Sequence, residues 1–150
     1  MEVEIKKYGS EGSRDLDRKP ETQRTQFEVE GLSLQHLFEN SLRGLAHLLR
    51  RGSCSSATHY DCLMKIDISA ADQKTLLVDF LAQVLNMTHS HQAIFCRMHV
   101  EEFSEQKLVA NLFGVWFDNF DTEIKSIIGH KCSVEQNEDY SCSGCIEFGL

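Results

Sequence analysis

The sequence predicts an α+β fold, a two-layer sandwich in which a mostly antiparallel sheet carries two amphipathic helices on one face. Two segments repeat their apolar residues at the three-and-four spacing of a helix, and about six or seven shorter segments alternate apolar and polar residues as strands do. Turn-like residues between the later segments favour hairpins, which join antiparallel neighbours. The 150 residues, 41% of them hydrophobic, are enough for one domain with one core.

The beginning of the chain differs in composition from the rest. Residues 1–24 carry many charges and a Gly-Ser run at 9–13, so we predict a flexible N-terminal arm there. The alternation from Met1 to Lys7 also allows a short strand. A single α+β domain is expected over residues 25–150.

The first strand and helix follow directly. Phe27 and Val29 alternate with polar residues, and Gly31 ends that strand. Ser33 is the expected N-cap of the first helix, which Gly52 ends. The apolar face of this helix is formed by Leu34, Leu37, Phe38, Leu42, Leu45, Leu48 and Leu49.

A second strand and helix come next. Leu63, Ile66 and Ile68 indicate a strand over residues 61–69, and Ser69 followed by Asp72 resembles a capping box that opens the helix. The predicted apolar face of this helix consists of Leu76, Leu77, Phe80, Leu81, Val84 and Leu85.

The last third of the chain is predicted to form strands. Residues from Ala93 onward alternate with period two, and residues 107–117 are apolar on both faces, as in a central strand. The segment from Asp121 to His130 is predicted to be a further strand. The segments around Glu123 and Tyr140 are expected to form a hairpin about residues 136–139.

Charge and motifs exclude several function classes. A formal net charge of -8 disfavours direct, tight binding to a nucleic-acid backbone, which needs clustered cations. No apolar run is long enough for a membrane span and no signal peptide opens the chain, so we expect a cytoplasmic protein whose six cysteines are reduced thiols. No nucleophile elbow, phosphate-binding Gly-rich loop or zinc-protease motif is present, which argues against an enzyme.

Three motifs, taken in order, resemble the archease family. They are Leu37-Phe38-Glu39-Asn40 after Gly31, the helical run Leu76 to Leu81, and Asp121 to His130. The resemblance extends from about Thr22 to Leu150. It implies a non-catalytic accessory protein that assists the GTP-dependent tRNA-splicing RNA ligase by promoting its guanylylation and turnover. It also allows a chaperone or scaffold for another RNA-modifying enzyme, such as a methyltransferase.

Two positions differ from the family pattern. The family's His-Thr-Ala-Asp falls on Glu21 to Arg24, so a metal-binding carboxylate becomes the guanidinium of Arg24. The carboxylate near the family's C-terminus becomes Gly149. Hard cations require oxygen ligands and are repelled by a positive charge, so we expect neither the family's divalent cation nor another cofactor.

The resemblance also indicates the partner-binding residues. Thr122, Glu123, Lys125 and His130 keep the family's polar positions, and two acidic neighbours, Asp118 and Asp121, lie beside them. On a strand, Glu123 and Lys125 would share one face. We predict that these six residues contact the partner enzyme. The alternative is a solvated face with a weak ion pair.

A zinc site is a further hypothesis, and with it a zinc- or thiol-dependent sensor function. His130, Cys132, Cys142 and Cys145 are ligand types suited to tetrahedral zinc. Hairpin pairing around Asn137 would place His130 opposite Cys145 and Cys132 near Cys142. Strand alternation opposes the site, because it sends Cys142 and Cys145 to opposite faces.

Overall fold

The structure is a computed structural model that describes residues 3–8, 24–55 and 58–150. Two helices, α1 (Leu34–Leu49) and α2 (Gln73–His91), account for the two predicted helical segments. The strands are β1 (Val3–Tyr8), β2 (Arg24–Gly31), β3 (Cys62–Ser69), β4 (Ala93–Phe103), β5 (Lys107–Trp116), β6 (Ser126–Ile127), β7 (Ser133–Gln136) and β8 (Cys142–Gly149). A single 3₁₀ turn, Gly129–Lys131, lies between β6 and β7.

The α+β class is confirmed, and every strand pair found is antiparallel. The strands divide into two sheets. One has the order β1-β2-β8-β6 with β7 also paired to β8, and the other has the order β3-β5-β4. Helix α1 packs against β2 of the first sheet and β4 of the second, so it bridges the two. The sequence did not predict this division, because it depends on pairing between strands far apart in the chain.

The predicted helix faces form the core. All six apolar residues predicted for α2 are buried, as are those of α1 apart from the partly buried Leu34. Phe38 of α1 stacks on Phe80 of α2 with ring centroids 5.6 Å apart, and Phe103 meets Phe38 edge-on at 5.2 Å. None of the helices in the described ranges is long and apolar enough to cross a membrane.

Helix α2 starts three residues later than the capping-box pattern suggested. Asp72, not Ser69, is the N-cap, and its carboxylate accepts a hydrogen bond of 2.8 Å from the backbone N–H of Thr75. Ser69 is instead the last residue of β3. The next residue, Ala70, continues the sheet pairing, because its N–H donates to the carbonyl of Gln106. The sheet pairing of β3 therefore overrides the local capping signal.

The N-terminal segment includes one strand. Val3–Tyr8 forms β1, the strand that the alternation from Met1 to Lys7 allowed, and it pairs with β2. Residues 1–2 and 9–23 of the predicted arm lie outside the described residues. The division of the chain near residue 24 stays a prediction.

Strand β5 is the central strand of its sheet, as its apolar composition predicted.

The neighbouring strand β4 carries a bulge between Phe95 and Arg97, and the residue in the bulge is Cys96. Cys96 is joined to Cys54 in a disulfide, with Cα atoms 5.4 Å apart. The prediction of reduced thiols is wrong for this pair, because the sequence does not show that residues 42 positions apart meet.

The segment from Asp121 to His130 is not the single strand that was predicted. It consists of loop, the two-residue strand β6 and the 3₁₀ turn. A hairpin does form about residues 136–139, with Asn137 and Ser141 bonded across its turn, but its arms are β7 and β8 and not the segments around Glu123 and Tyr140. Its register places Ser133 opposite Cys145 and therefore differs from the register assumed for the zinc hypothesis.

Candidate partner-binding loop

Five of the six predicted contact residues lie in one surface loop, residues 117–125, which we call the polar loop. It connects β5 to β6. The predicted contact residues in it are Asp118, Asp121, Thr122, Glu123 and Lys125, all exposed apart from the half-buried Thr122. Because this segment is a loop, the strand alternation that was to place Glu123 and Lys125 on a common face does not apply.

The middle of the polar loop is bonded to the end of α1. The N–H of Asp121 donates to the carbonyl of Leu49 at 2.7 Å, and the Asp121 carboxylate accepts from the N–H of Arg51 at 2.8 Å. The first bond satisfies a carbonyl that the end of α1 leaves without a partner inside the helix, and the second binds the N–H of a residue just beyond that end. Asp121 thus has a structural role that its place in the sequence motif did not reveal.

Two side chains outside the predicted contact residues, Arg50 and His89, hold the rest of the polar loop. The guanidinium of Arg50 lies 4.7 Å from the centre of the Phe117 ring and donates to the side-chain oxygen of Asn119. The Nε2–H of His89 donates to the carbonyl of Ile124 at 2.8 Å. Both anchors are remote in sequence from the loop, so no local signal could have found them.

The side chain of Ile124 is a further anchor, because it is fully buried in the hydrophobic core. The next residue, Lys125, donates its N–H to the carbonyl of Gly149 at 2.8 Å. The polar loop is therefore attached to α1, α2 and β8. Its exposed side chains are presented from a backbone with a defined shape.

The two positions that correspond to the family's metal carboxylates come together beside this loop. Arg24 of β2 is the direct cross-strand partner of Gly149 of β8. Gly149 also pairs with Ser126, directly after the polar loop. A guanidinium opposite a glycine supplies no carboxylate oxygen, so this pair does not fit a divalent cation.

His130 is separate from the other five predicted contact residues. It lies in the 3₁₀ turn and is exposed. The preceding residue, Gly129, faces α2, because a Cβ built on it would lie 3.3 Å from Cγ1 of Val78. The turn is thus held near the first half of α2.

The four residues of the zinc hypothesis are not brought together. Cys142 is buried in the core, whereas Cys145 is half-buried and its Sγ accepts from the side-chain amide of Gln26 on β2. Cys132 is buried, and its thiol donates to the carbonyl of Ile128 at 3.4 Å. Across residues 24–55 and 58–150, no three His, Cys, Asp or Glu side chains form a group that could hold a metal ion.

Burial also affects the chemistry of these thiols. Desolvation is the main cause that raises the pKa of Cys132, and it raises the pKa of Cys142 as well. A raised pKa lowers the fraction of thiolate, which is the form that binds metals and reacts with disulfides. These two cysteines therefore have the character of core residues.

These features define a class of protein: a small α+β domain with two helices, two antiparallel sheets and a firmly anchored polar loop on its surface. The sequence pattern of the Archease protein family (MTH1598/TM1083) matches residues 21–146. The chain belongs to this family.

Two solved structures share the fold. One is the solution structure of Methanobacterium thermoautotrophicum protein 1598, with a TM-score of 0.70 and 16% identity, over 99% of this chain and 98% of that one. The other is a Thermotoga maritima protein described as an archease, possible chaperone, with a TM-score of 0.62 and 15% identity, over 89% of this chain and 97% of that one. Among curated proteins, none matches the sequence.

Proposed function

We propose that this chain is a non-catalytic accessory protein that assists the GTP-dependent tRNA-splicing RNA ligase in the cytoplasm. Membership of the archease family supports an accessory role. The observation that carries the proposal is the polar loop, whose exposed charges project from a backbone attached to two helices and a strand. A surface that is already ordered loses less conformational entropy on binding than a mobile one.

The accessory protein acts by preferring one state of the ligase. It speeds guanylylation of the ligase only to the extent that it binds the guanylylation-competent conformation more tightly than the others. Asp118 and Glu123 are exposed acidic groups of the polar loop that suit a basic cleft. Asp121 contributes chiefly by holding the loop, because its carboxylate is bonded to Arg51.

The pair formed by Arg24 and Gly149 adds a condition to this function. Because these residues do not suit a divalent cation, the proposed activation proceeds without a cation held at this pair. Lys125 and Arg24 supply fixed positive charge on the chain itself near the same strand end. We therefore assign no cofactor to the protein.

The test is multiple-turnover RNA ligation by the ligase from the same source, with GTP and Mn²⁺, in the presence and absence of this protein. We expect faster turnover with the wild type and a loss of most of the acceleration with the double variant D118A/E123A. Glu138→Ala removes a similar exposed carboxylate from the β7–β8 turn and serves as the matched control. A folded wild-type protein without effect on an active ligase would contradict the proposal.

A second candidate is a chaperone or scaffold for another RNA-modifying enzyme such as a methyltransferase. It is favoured by the description of the Thermotoga maritima relative as a possible chaperone. In this case the protein leaves ligase turnover unchanged and instead suppresses aggregation of the partner enzyme or changes its specificity. Light scattering of the heated methyltransferase, with and without this protein, distinguishes the two candidates.

A further inference from the structure

Strand β3 is at the edge of its sheet. The sheet order is β3-β5-β4, and nothing in the part of the chain that the structure describes pairs with the outer side of β3. The N–H of Ala70 donates to the carbonyl of Gln106, the residue directly before β5, in the register of the β3–β5 pair, and antiparallel hydrogen-bonded pairs recur at every second residue. The outward-pointing backbone groups of β3 therefore belong to Leu63, Lys65, Asp67 and Ser69.

The side chains of the same four residues are exposed, and their charges are self-complementary. If a second copy of β3 pairs antiparallel about a two-fold axis at Ile66, Lys65 lies opposite Asp67 of the second copy, and Asp67 lies opposite its Lys65. A shift of two residues either way places Lys65 opposite Lys65 or Asp67 opposite Asp67. Opposite charges stabilise directly facing pairs and like charges destabilise them, so the charges select one register.

The same register covers apolar surface. Leu63 is 62% exposed, and the pairing places it against Ser69 of the second copy. On the inner face, the half-buried Met64 comes opposite Ile68, so the core layer continues from one copy into the next. An extended edge strand with exposed apolar residues is a ready template for pairing.

We propose that this chain forms a two-fold symmetric dimer in which the β3 strands of two copies pair antiparallel about Ile66. Two three-stranded sheets then become one continuous six-stranded sheet. Within each copy, Nζ of Lys65 lies 3.2 Å from the carboxylate of Glu101 on β4, so both charges lie on the solvent-exposed face of the sheet. Isologous pairing of one surface with itself is the commonest form of homodimer.

Analytical ultracentrifugation across a wide concentration range tests the dimer, and charge reversal tests its register. K65D and D67K each create like charges at both symmetric contacts, so each should weaken association about tenfold or more. An equimolar mixture of K65D and D67K restores opposite charges at both contacts. It should therefore associate as a heterodimer about as strongly as the wild type. Circular dichroism verifies that each variant is folded.

Glu101→Gln is the matched control, because it removes the partner of Lys65 within the sheet and leaves the β3 edge unchanged. It should not weaken association. A wild type that stays monomeric at the highest concentrations overturns the dimer. A mixture of folded K65D and D67K that fails to associate overturns the register. Neither result affects the ligase assay, since the variants tested there lie in the polar loop and the β7–β8 turn, outside β3.

Discussion

The carboxylate of Asp121 shows how one side chain in a polar motif serves the fold. The carboxylate accepts a hydrogen bond from the N–H of Arg51, while the backbone N–H of Asp121 donates to the carbonyl of Leu49. We expect Asp121→Ala to lower the free energy of unfolding by about 1 kcal/mol, the typical net value of one hydrogen bond. Urea unfolding measures the change. Asp118→Ala is the control, since none of the residues that the structure describes bonds to the Asp118 side chain, and an equal loss in both variants would contradict the role of Asp121.

The N-cap of α2 predicts a pH dependence. The hydrogen bond from the backbone of Thr75 is the main cause that lowers the pKa of Asp72. Because the unfolded chain binds this proton more readily, the stabilisation is complete above the ordinary aspartate pKa. It is lost as the pH falls below about 4 towards the lowered folded value.

We therefore expect Asp72→Ala to be less stable than the wild type at neutral pH, with a difference that shrinks in acid. Urea midpoints measured from neutral to acid pH check this. Asp72→Asn keeps an acceptor for the N–H of Thr75 but does not titrate, so it should be close to the wild type at neutral pH. A difference between wild type and D72A that stays constant in acid would rule out the titration of Asp72 as its source.

At the scale of elements, the corner between β2 and α1 depends on Gly31. A Cβ built there would overlap the backbone nitrogen of Leu37 and lie 2.8 Å from the carbonyl carbon of His36. Backbone atoms of a helix cannot move aside cheaply, so Gly31→Ala should cost at least about 2 kcal/mol of stability. Chemical denaturation measures the loss.

Gly129→Ala is the comparison for that corner. There the added Cβ would approach only the Cγ1 methyl of Val78, at 3.3 Å, and a side chain gives way more easily than backbone. We expect a clearly smaller loss of stability. Equal losses at the two glycines would show that the close approach at Gly31 is not what shapes the corner.

The segment from Asp121 to His130 shows where a local pattern is insufficient. Its alternation predicts a strand, yet only Ser126–Ile127 pairs with β8. Asp121 is bonded to Leu49 and Arg51, and Ile124 is bonded to His89, and these bonds hold the residues before Ser126 as a loop. Pairing requires a free strand edge, and here competing contacts from two helices take precedence over propensity.

At the scale of the whole molecule, the disulfide between Cys54 and Cys96 connects the loop after α1 to β4. Of the six cysteines, four are free, so alkylation of the denatured but unreduced protein should modify four thiols, and six after reduction. Mass spectrometry counts them. Closing a loop between residues 42 apart should stabilise the fold by about 2–4 kcal/mol, which the double variant C54S/C96S should lose. Six reactive thiols before reduction would instead support the reduced state that the sequence suggested.

The sequence predicted that the polar residues of the loop lie together, whereas their contact with a partner stays a prediction. The polar residues of the loop are close in space because they are nearly consecutive in the chain, and a motif is enough to identify them. Their anchors were missed because Arg50 and Asn119 are 69 residues apart, and His89 and Ile124 are 35 apart. Periodicity contains no information about such pairs.

By itself, the sequence determined the α+β class, the buried faces of both helices, the central position of β5 and the hairpin turn about residues 136–139. These features follow from the spacing of neighbouring residues. Only the tertiary structure decided the division into two sheets, the conformation of the polar loop and the pairing of Arg24 with Gly149. Each of these depends on which distant segments pair, and that choice is made by packing of the whole core.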